Sequence, residues 1–162
     1  SEVRIIPFCF SLKYFPQATS KTPQVSRLVA DNRLVATMPE FNILIVDDDF
    51  SLCEFTSLIL AREGYCLHVA HDANQALKQV EQHAYDLIIT DLTLPGLPGD
   101  QLARFLREQG HQCPIMLMTG SLLNAKPDHI DTVLLKPFSI SELRKTVAAL
   151  LNKQTFISRM AA

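Results

Sequence analysis

Four runs of apolar residues in this chain of 162 residues end abruptly at polar side chains that could act together chemically. Three consecutive aspartates, residues 47–49, follow one run, and Asp91, Thr119 and Lys136 end the others. Adjacent carboxylates repel one another and favour a bound cation, and Mg²⁺ accepts one or two carboxylates together with phosphate oxygens. A carboxylate can also attack phosphorus and form an aspartyl phosphate, whose charge a lysine and a hydroxyl can neutralise.

The apolar runs belong to a regular alternation of predicted strands and helices. The strand segments are short and almost wholly apolar, and the segments between them carry apolar residues at helical spacing. Ser51 with Glu54, and Ser139 with Glu142, have the spacing of N-terminal capping boxes. We expect strands within residues 41–49, 65–70, 86–90, 114–119 and 132–135, and helices within residues 51–64, 72–83, 99–110 and 139–152.

Strands that are apolar throughout are buried on both faces, which is typical of a parallel sheet between two layers of helices. The predicted fold is therefore α/β, a doubly wound five-stranded parallel sheet. Ligand sites in such folds lie outside the carboxyl ends of the strands. Because the polar residues follow the strands, we expect them to converge at one edge of the sheet.

Composition and charge exclude several classes of function. Residues 1–37 carry five Lys and Arg against two Asp and Glu, whereas residues 38–162 carry ten against fifteen. The acidic larger part predicts no direct contact with nucleic acid, and no apolar run approaches the roughly 18 residues of a membrane span. Four scattered cysteines with no C-x-x-C pair indicate a reduced compartment, which we expect to be the cytoplasm.

The fragments "ILIVDDD", "DLIITDLTLPGLPG", "PIMLMTG" and "LLKPF" together resemble the receiver domain of two-component response regulators. Each fragment alone is weak, but their order and spacing are very specific, and the resemblance covers about residues 40–152. It implies a flavodoxin-like sheet with strand order 2-1-3-4-5. We expect residues 1–38 to be a poorly structured leader or linker, residues 39–153 to be the receiver domain, and residues 154–162 to be a C-terminal tail.

The resemblance also implies roles for individual residues. Asp91 is expected to accept the phosphoryl group. Thr119 is expected to hydrogen-bond a phosphoryl oxygen, and Lys136, before a cis peptide bond to Pro137, to pair with the phosphate. The implied cofactor is Mg²⁺, held by Asp48 directly, Asp47 through water, Asp91, and the backbone carbonyl of Thr93.

Two features depart from the family pattern. The aromatic switch residue expected three positions before Lys136 is Val133, so signal output through a ring flip is not expected. The segment from Thr119 to Lys136 is several residues shorter than is typical and contains Pro127. We therefore expect a shortened or distorted fourth helix.

The resemblance implies a signalling role, not an enzyme, although the domain assists its own phosphorylation and dephosphorylation. The implied partners are a histidine kinase or histidine phosphotransfer protein, an unknown downstream protein, and a second copy in a homodimer. One alternative is a degenerate receiver that binds proteins without phosphorylation. A haloacid-dehalogenase-type phosphatase is less well matched. That family needs an acidic pair after the lysine, whereas only Glu142 follows Lys136 here, and it is assigned to a helix cap. His68 and His71 are interpreted as surface residues.

Overall fold

The computed structural model describes residues 41–123 and 125–160, with side chains as far as Asn152. Strands and helices alternate along these residues, as the sequence predicts. The strands are β1 (Asn42–Val46), β2 (Cys66–Ala70), β3 (Leu87–Asp91), β4 (Ile115–Thr119) and β5 (Thr132–Leu135). The helices are α1 (Phe50–Ala61), α2 (Ala73–Gln82), α3 (Gly99–Glu108) and α4 (Ile140–Met160).

All five strands form one parallel sheet in the order β2-β1-β3-β4-β5. This arrangement confirms the predicted doubly wound fold and its strand order. Every residue of β3 and β4 is buried, whereas the edge strands β2 and β5 are only partly buried. The central strands therefore carry the continuous apolar runs that first indicated a parallel sheet.

Alternating side chains of each strand supply two cores on opposite faces of the sheet. On β1, Ile43 and Ile45 belong to the core that includes buried residues of α1 and α4. Leu44 and Val46 belong to the core that includes buried residues of α2 and α3. With both faces covered, the polar residues that follow the strands are left at the ends of the sheet.

Helix α1 begins differently from the sequence prediction. Its N-cap is Asp49, whose carboxylate accepts hydrogen bonds from the backbone of Ser51 and Leu52. The predicted capping box of Ser51 with Glu54 is therefore wrong, because Asp49, two residues earlier, is the N-cap that satisfies the free amides. The helix consequently starts directly after the acidic cluster.

Helix α4 has the predicted cap but a different length. The Ser139 amide donates to the Glu142 carboxylate at 2.8 Å, and the Glu142 amide donates to Ser139 Oγ at 3.2 Å, which is a capping box. The helix continues beyond Asn152 to Met160, because the following residues include no Gly or Pro to end it. The predicted leader over residues 1–38 lies outside the described residues.

The crossover from β4 to β5 has no helix among its described residues, 120–123 and 125–131. Asp131 closes this crossover by accepting hydrogen bonds from Arg107 at 2.7 Å and from the backbone of Ile115 at 2.8 Å. Ile130 is buried beside it in the core. The sequence predicted a shortened or distorted helix in this crossover, between Thr119 and Lys136. That shortening is confirmed over the described residues.

Candidate functional site

Lys136 brings the ends of three strands together. Its Nζ lies 2.9 Å from Asp47 Oδ2 and 2.5 Å from Asp91 Oδ1. Asp47 follows β1, Asp91 ends β3, and Lys136 follows β5. Asp47 is 1% exposed and Asp91 is 7% exposed. The structure therefore gathers three of the predicted site residues into one largely buried charge cluster at the predicted edge.

The ammonium group of Lys136 remains charged in this setting. Burial alone would lower the pKa of Lys136, but hydrogen bonds and charges from Asp91 and Asp47 outweigh it and raise this pKa above its ordinary value. One ammonium nevertheless faces two carboxylates, and Asp48 adds a third, exposed carboxylate on the same turn. The cluster thus keeps a surplus of negative charge that favours a further cation.

Asp91 is positioned by the backbone around it. Its Oδ2 accepts a hydrogen bond of 2.5 Å from the Thr93 amide. Gly99, the first residue of α3, lies so close that an added Cβ would fall 1.8 Å from the main-chain oxygen of Asp91. Gly96 adopts a φ of +81°, which favours glycine. The two glycines of "LPGLPG" therefore allow the chain to turn tightly behind the carboxylate.

A backbone hydrogen bond between β4 and the end of β5 holds Thr119 next to Lys136. Its carbonyl accepts a hydrogen bond of 2.7 Å from the Lys136 amide. Its Oγ1 accepts one of 3.0 Å from the Ser121 amide and has a longer contact of 3.5 Å with the Ser121 carbonyl. The peptide bond between Lys136 and Pro137 is cis, as the family resemblance implied.

The residues at this edge fit a magnesium ion that is completed by non-protein ligands. Within the described part of the chain, no three His, Cys, Asp or Glu side chains form a group that could hold a metal ion alone. Mg²⁺ does not need such a group, because it retains waters and is commonly held by one or two carboxylates plus phosphate oxygens. The oxygen donors of Asp47, Asp48 and Asp91 are of the type that this ion prefers.

The structure adds residues that sequence reasoning missed. The main-chain oxygen of Asp47 accepts hydrogen bonds from Cys53 Sγ at 3.3 Å and His71 Nδ1 at 3.1 Å. The ring of Phe50 stacks on His71 with centroids 3.8 Å apart. His71 directly follows β2, the neighbour of β1, but only the register of the two strands places it beside Asp47. Burial, and secondly the charge of Asp47, raise the pKa of Cys53 to about 12, so the thiol stays protonated as a donor.

His68 and His71, which the sequence analysis interprets as surface residues, are partly exposed in the structure. Each also contacts a side chain or backbone group of a neighbouring element. His71 contacts Asp47 as described, and His68 Nδ1 lies 2.6 Å from the hydroxyl of Tyr85. Alternation in the sequence places both residues near the end of β2 but cannot show what the adjacent elements bring to them.

Comparison with known proteins defines the class of this chain. Residues 43–148 match the family model described as the response regulator receiver domain. The response regulator ArlR of Staphylococcus aureus is 36% identical over 122 residues, which cover 69% of this chain and 53% of ArlR. The chain therefore belongs to the family of response regulator receiver domains of two-component systems.

Solved structures agree with this assignment. The chemotaxis response regulator CheY4 of Vibrio cholerae has 28% identity and a TM-score of 0.63, covering 68% of this chain and 98% of CheY4. The response regulator TrrA of Thermotoga maritima, solved in complex with Mg²⁺–BeF, has 31% identity and a TM-score of 0.63, covering 68% of this chain and 99% of TrrA.

This chain spans about half the length of the ArlR relative. No helix in the described residues is long and apolar enough to cross a bilayer.

Proposed function

We propose that this chain is a phosphoacceptor signalling domain in which Asp91 receives a phosphoryl group from a phospho-histidine. The donor would be a histidine kinase or a histidine phosphotransfer protein in the cytoplasm. The observation that carries the proposal is the position of Asp91 at the end of the central strand β3, bonded to Lys136 and to the Thr93 amide. A carboxylate held in this way is oriented and largely shielded from water before a donor arrives.

The transfer is a substitution at phosphorus. A carboxylate oxygen of Asp91 forms the new O–P bond, the P–N bond to the donor histidine breaks, and the imidazole keeps the bonding electron pair. Lys136, already 2.5 Å from Asp91 Oδ1, pairs with the added negative charge. The Thr119 hydroxyl accepts from the Ser121 amide at 3.0 Å, but it donates only across a long contact of 3.5 Å to the Ser121 carbonyl. Its proton can therefore turn toward a phosphoryl oxygen.

The residues that would hold Mg²⁺ are Asp48, Asp47 through water, Asp91, and the carbonyl of Thr93. The TrrA structure contains Mg²⁺–BeF, which supports the same metal here. When bound, the ion supplies positive charge to the phosphoryl oxygens. The protein's part is to hold the acidic turn: the Asp49 amide donates to Asp47 Oδ1 at 2.9 Å, which limits the rotation of that carboxylate.

Phosphorylation would signal through a protein surface. The added charge changes the contacts of Lys136 and Thr119, which flank the shortened crossover and β5. A downstream protein, or a second copy of the chain, would read this surface. The same residues would assist the chain's own phosphorylation and dephosphorylation.

The test is incubation with a small phosphodonor and Mg²⁺, followed by intact-mass measurement. We expect a labile adduct of one phosphoryl group in the native chain and in Asp128→Asn, an exposed carboxylate on the crossover. We expect none in Asp91→Asn or with EDTA. A folded native chain that gains no adduct would instead support a phosphorylation-independent binding module.

A further inference from the structure

Two side chains from different elements bind the same backbone oxygen at the start of the acidic turn. The Asp47 carbonyl accepts hydrogen bonds from Cys53 on α1 and from His71 after β2. A carbonyl oxygen can only accept, so Nδ1 of His71 carries the proton in this contact. The Asp47 amide also donates to the Ala70 carbonyl at 3.1 Å. The backbone N–H and the backbone carbonyl of Asp47 therefore both bind residues at the end of β2.

His71 is itself held in place from two directions. Phe50, 69% exposed, stacks on the imidazole ring at a centroid distance of 3.8 Å and an interplanar angle of 27°. The His71 amide donates to Gln75 Oε1 at 3.1 Å. Gln75 in turn donates to the Asp72 carboxylate, from its backbone N–H at 2.8 Å and from its side-chain Nε2 at 2.9 Å. An exposed aromatic ring thus lies over a histidine whose position is already fixed by α2.

The geometry points to His71, held by Phe50, as a positioning residue for the metal-binding turn. This inference rests on the proposed function. The peptide unit from the Asp47 carbonyl to the Asp48 amide is planar, so fixing its oxygen fixes the plane that joins the two carboxylates. His71 therefore sets the direction in which Asp47 and Asp48 face the ion without touching it, and Phe50 keeps His71 from turning away.

The test compares two variants of nearly the same shape. In His71→Asn the side-chain amide can place a donor where Nδ1 lies, whereas His71→Leu has a similar branched shape and no donor. We expect Mg²⁺, titrated calorimetrically into the unphosphorylated chain, to bind about two- to tenfold more weakly to His71→Leu, which is the effect of losing one hydrogen bond. We expect His71→Asn to bind within about twofold of the native chain.

Phe50→Ala provides a second variant, because this exposed ring contributes little to the core. We expect it to weaken Mg²⁺ binding in the same direction, while urea unfolding in EDTA stays close to native. Native affinity in both His71→Leu and Phe50→Ala would overturn the inference and leave the proposed function intact. Equal weakening in His71→Asn and His71→Leu would also overturn it, because the donor would then not matter. A native chain that binds no Mg²⁺ would overturn the proposed metal site as well.

Discussion

Lys136 is a single cation shared by two carboxylates that water barely reaches. Its Nζ contacts Asp47 and Asp91 at 2.9 and 2.5 Å, and its own side chain is 24% exposed. Removing one partner from a buried ion cluster leaves the remaining charges uncompensated, which costs more than the intact cluster contributes. The lysine therefore serves the resting fold and the proposed transfer at once.

The first prediction concerns Lys136→Met. We expect the rate of phosphorylation by a small phosphodonor to fall by about a hundredfold, as on removal of one oxyanion donor. In EDTA, we expect the free energy of unfolding to fall by about 1–3 kcal/mol, less than for a fully buried pair because water partly screens the ammonium. Urea titrations and intact-mass time courses measure the two effects.

Lys145→Met is the matched control, because Lys145 is exposed on α4. We expect it to leave both the phosphorylation rate and the unfolding free energy close to native. A native phosphorylation rate in Lys136→Met would contradict the role proposed for this lysine.

At the scale of elements, the junction of β3 and α3 depends on a glycine. A Cβ on Gly99 would fall 1.8 Å from the main-chain oxygen of Asp91 and 2.7 Å from Thr90 Oγ1. Backbone cannot yield as a flexible side chain can, so the start of α3 would have to move away from the phosphoacceptor.

The second prediction is that Gly99→Ala lowers the free energy of unfolding by about 3 kcal/mol, the upper part of the range for overpacking. We also expect slower phosphorylation, because the displaced helix shifts Asp91. Gly120→Ala is the control, since a Cβ there meets nothing within 4 Å. Equal stability of the two variants in urea would show that the junction has more room than the structure indicates.

The third prediction concerns pH and the cap of α4. Hydrogen bonds from the backbone and hydroxyl of Ser139 lower the pKa of Glu142 below its ordinary value of 4.5. At a pH between the lowered pKa of the folded chain and the ordinary pKa of the unfolded chain, the unfolded chain binds more protons. Acidification through this range therefore destabilises the fold. The contribution of the Glu142 charge is therefore fully present above pH 4.5 and is lost as the pH falls through the lowered pKa.

Urea titrations of the native chain and Glu142→Gln between neutral and acidic pH measure this effect. We expect their difference in unfolding free energy to be constant near neutrality and to shrink at acidic pH. Glu54→Gln, an exposed charge change within α1, is the control. If the difference in unfolding free energy between the native chain and Glu142→Gln grew on acidification, the stabilising role of the Glu142 charge in the cap would be contradicted.

Local patterns predicted the elements well and their ends less well. The cap of α4 could be predicted because Ser139 and Glu142 are adjacent in space and close in sequence. The start of α1 could not, because Asp49 and Ser51 both have capping chemistry and only the backbone path decides between them. The continuation of α4 beyond Asn152 could have been predicted, because no Gly or Pro follows to end the helix.

At the scale of the whole molecule, the strand order decides which residues meet. Lys136 and Asp47 lie 89 positions apart in sequence, and Lys136 and Asp91 lie 45 apart. Their convergence could be predicted from the carboxyl ends of parallel strands, and the family resemblance supplied the order. The contact of His71 with Asp47 was missed because it depends on the register of β2 beside β1, which periodicity does not reveal.

The fourth prediction uses the stability of the whole molecule as a reporter of site occupancy. A ligand that binds only the folded state stabilises it by mass action. With saturating Mg²⁺ in every sample, we expect beryllofluoride at about one hundred times its dissociation constant to raise the free energy of unfolding by about 2.7 kcal/mol over Mg²⁺ alone. Asp91→Asn should lose this gain and Asp128→Asn should keep it; an equal gain in Asp91→Asn would place the anion elsewhere.

The central claim is that Asp91 itself carries the phosphoryl group, and chemical trapping tests it most directly. Borohydride reduces an aspartyl phosphate to homoserine, which marks the acceptor permanently for peptide mass spectrometry. After treatment with phosphodonor and Mg²⁺, the account predicts homoserine at position 91 and at no other aspartate. Homoserine at Asp47 or Asp48, or a phosphorylated chain without conversion at Asp91, would contradict it.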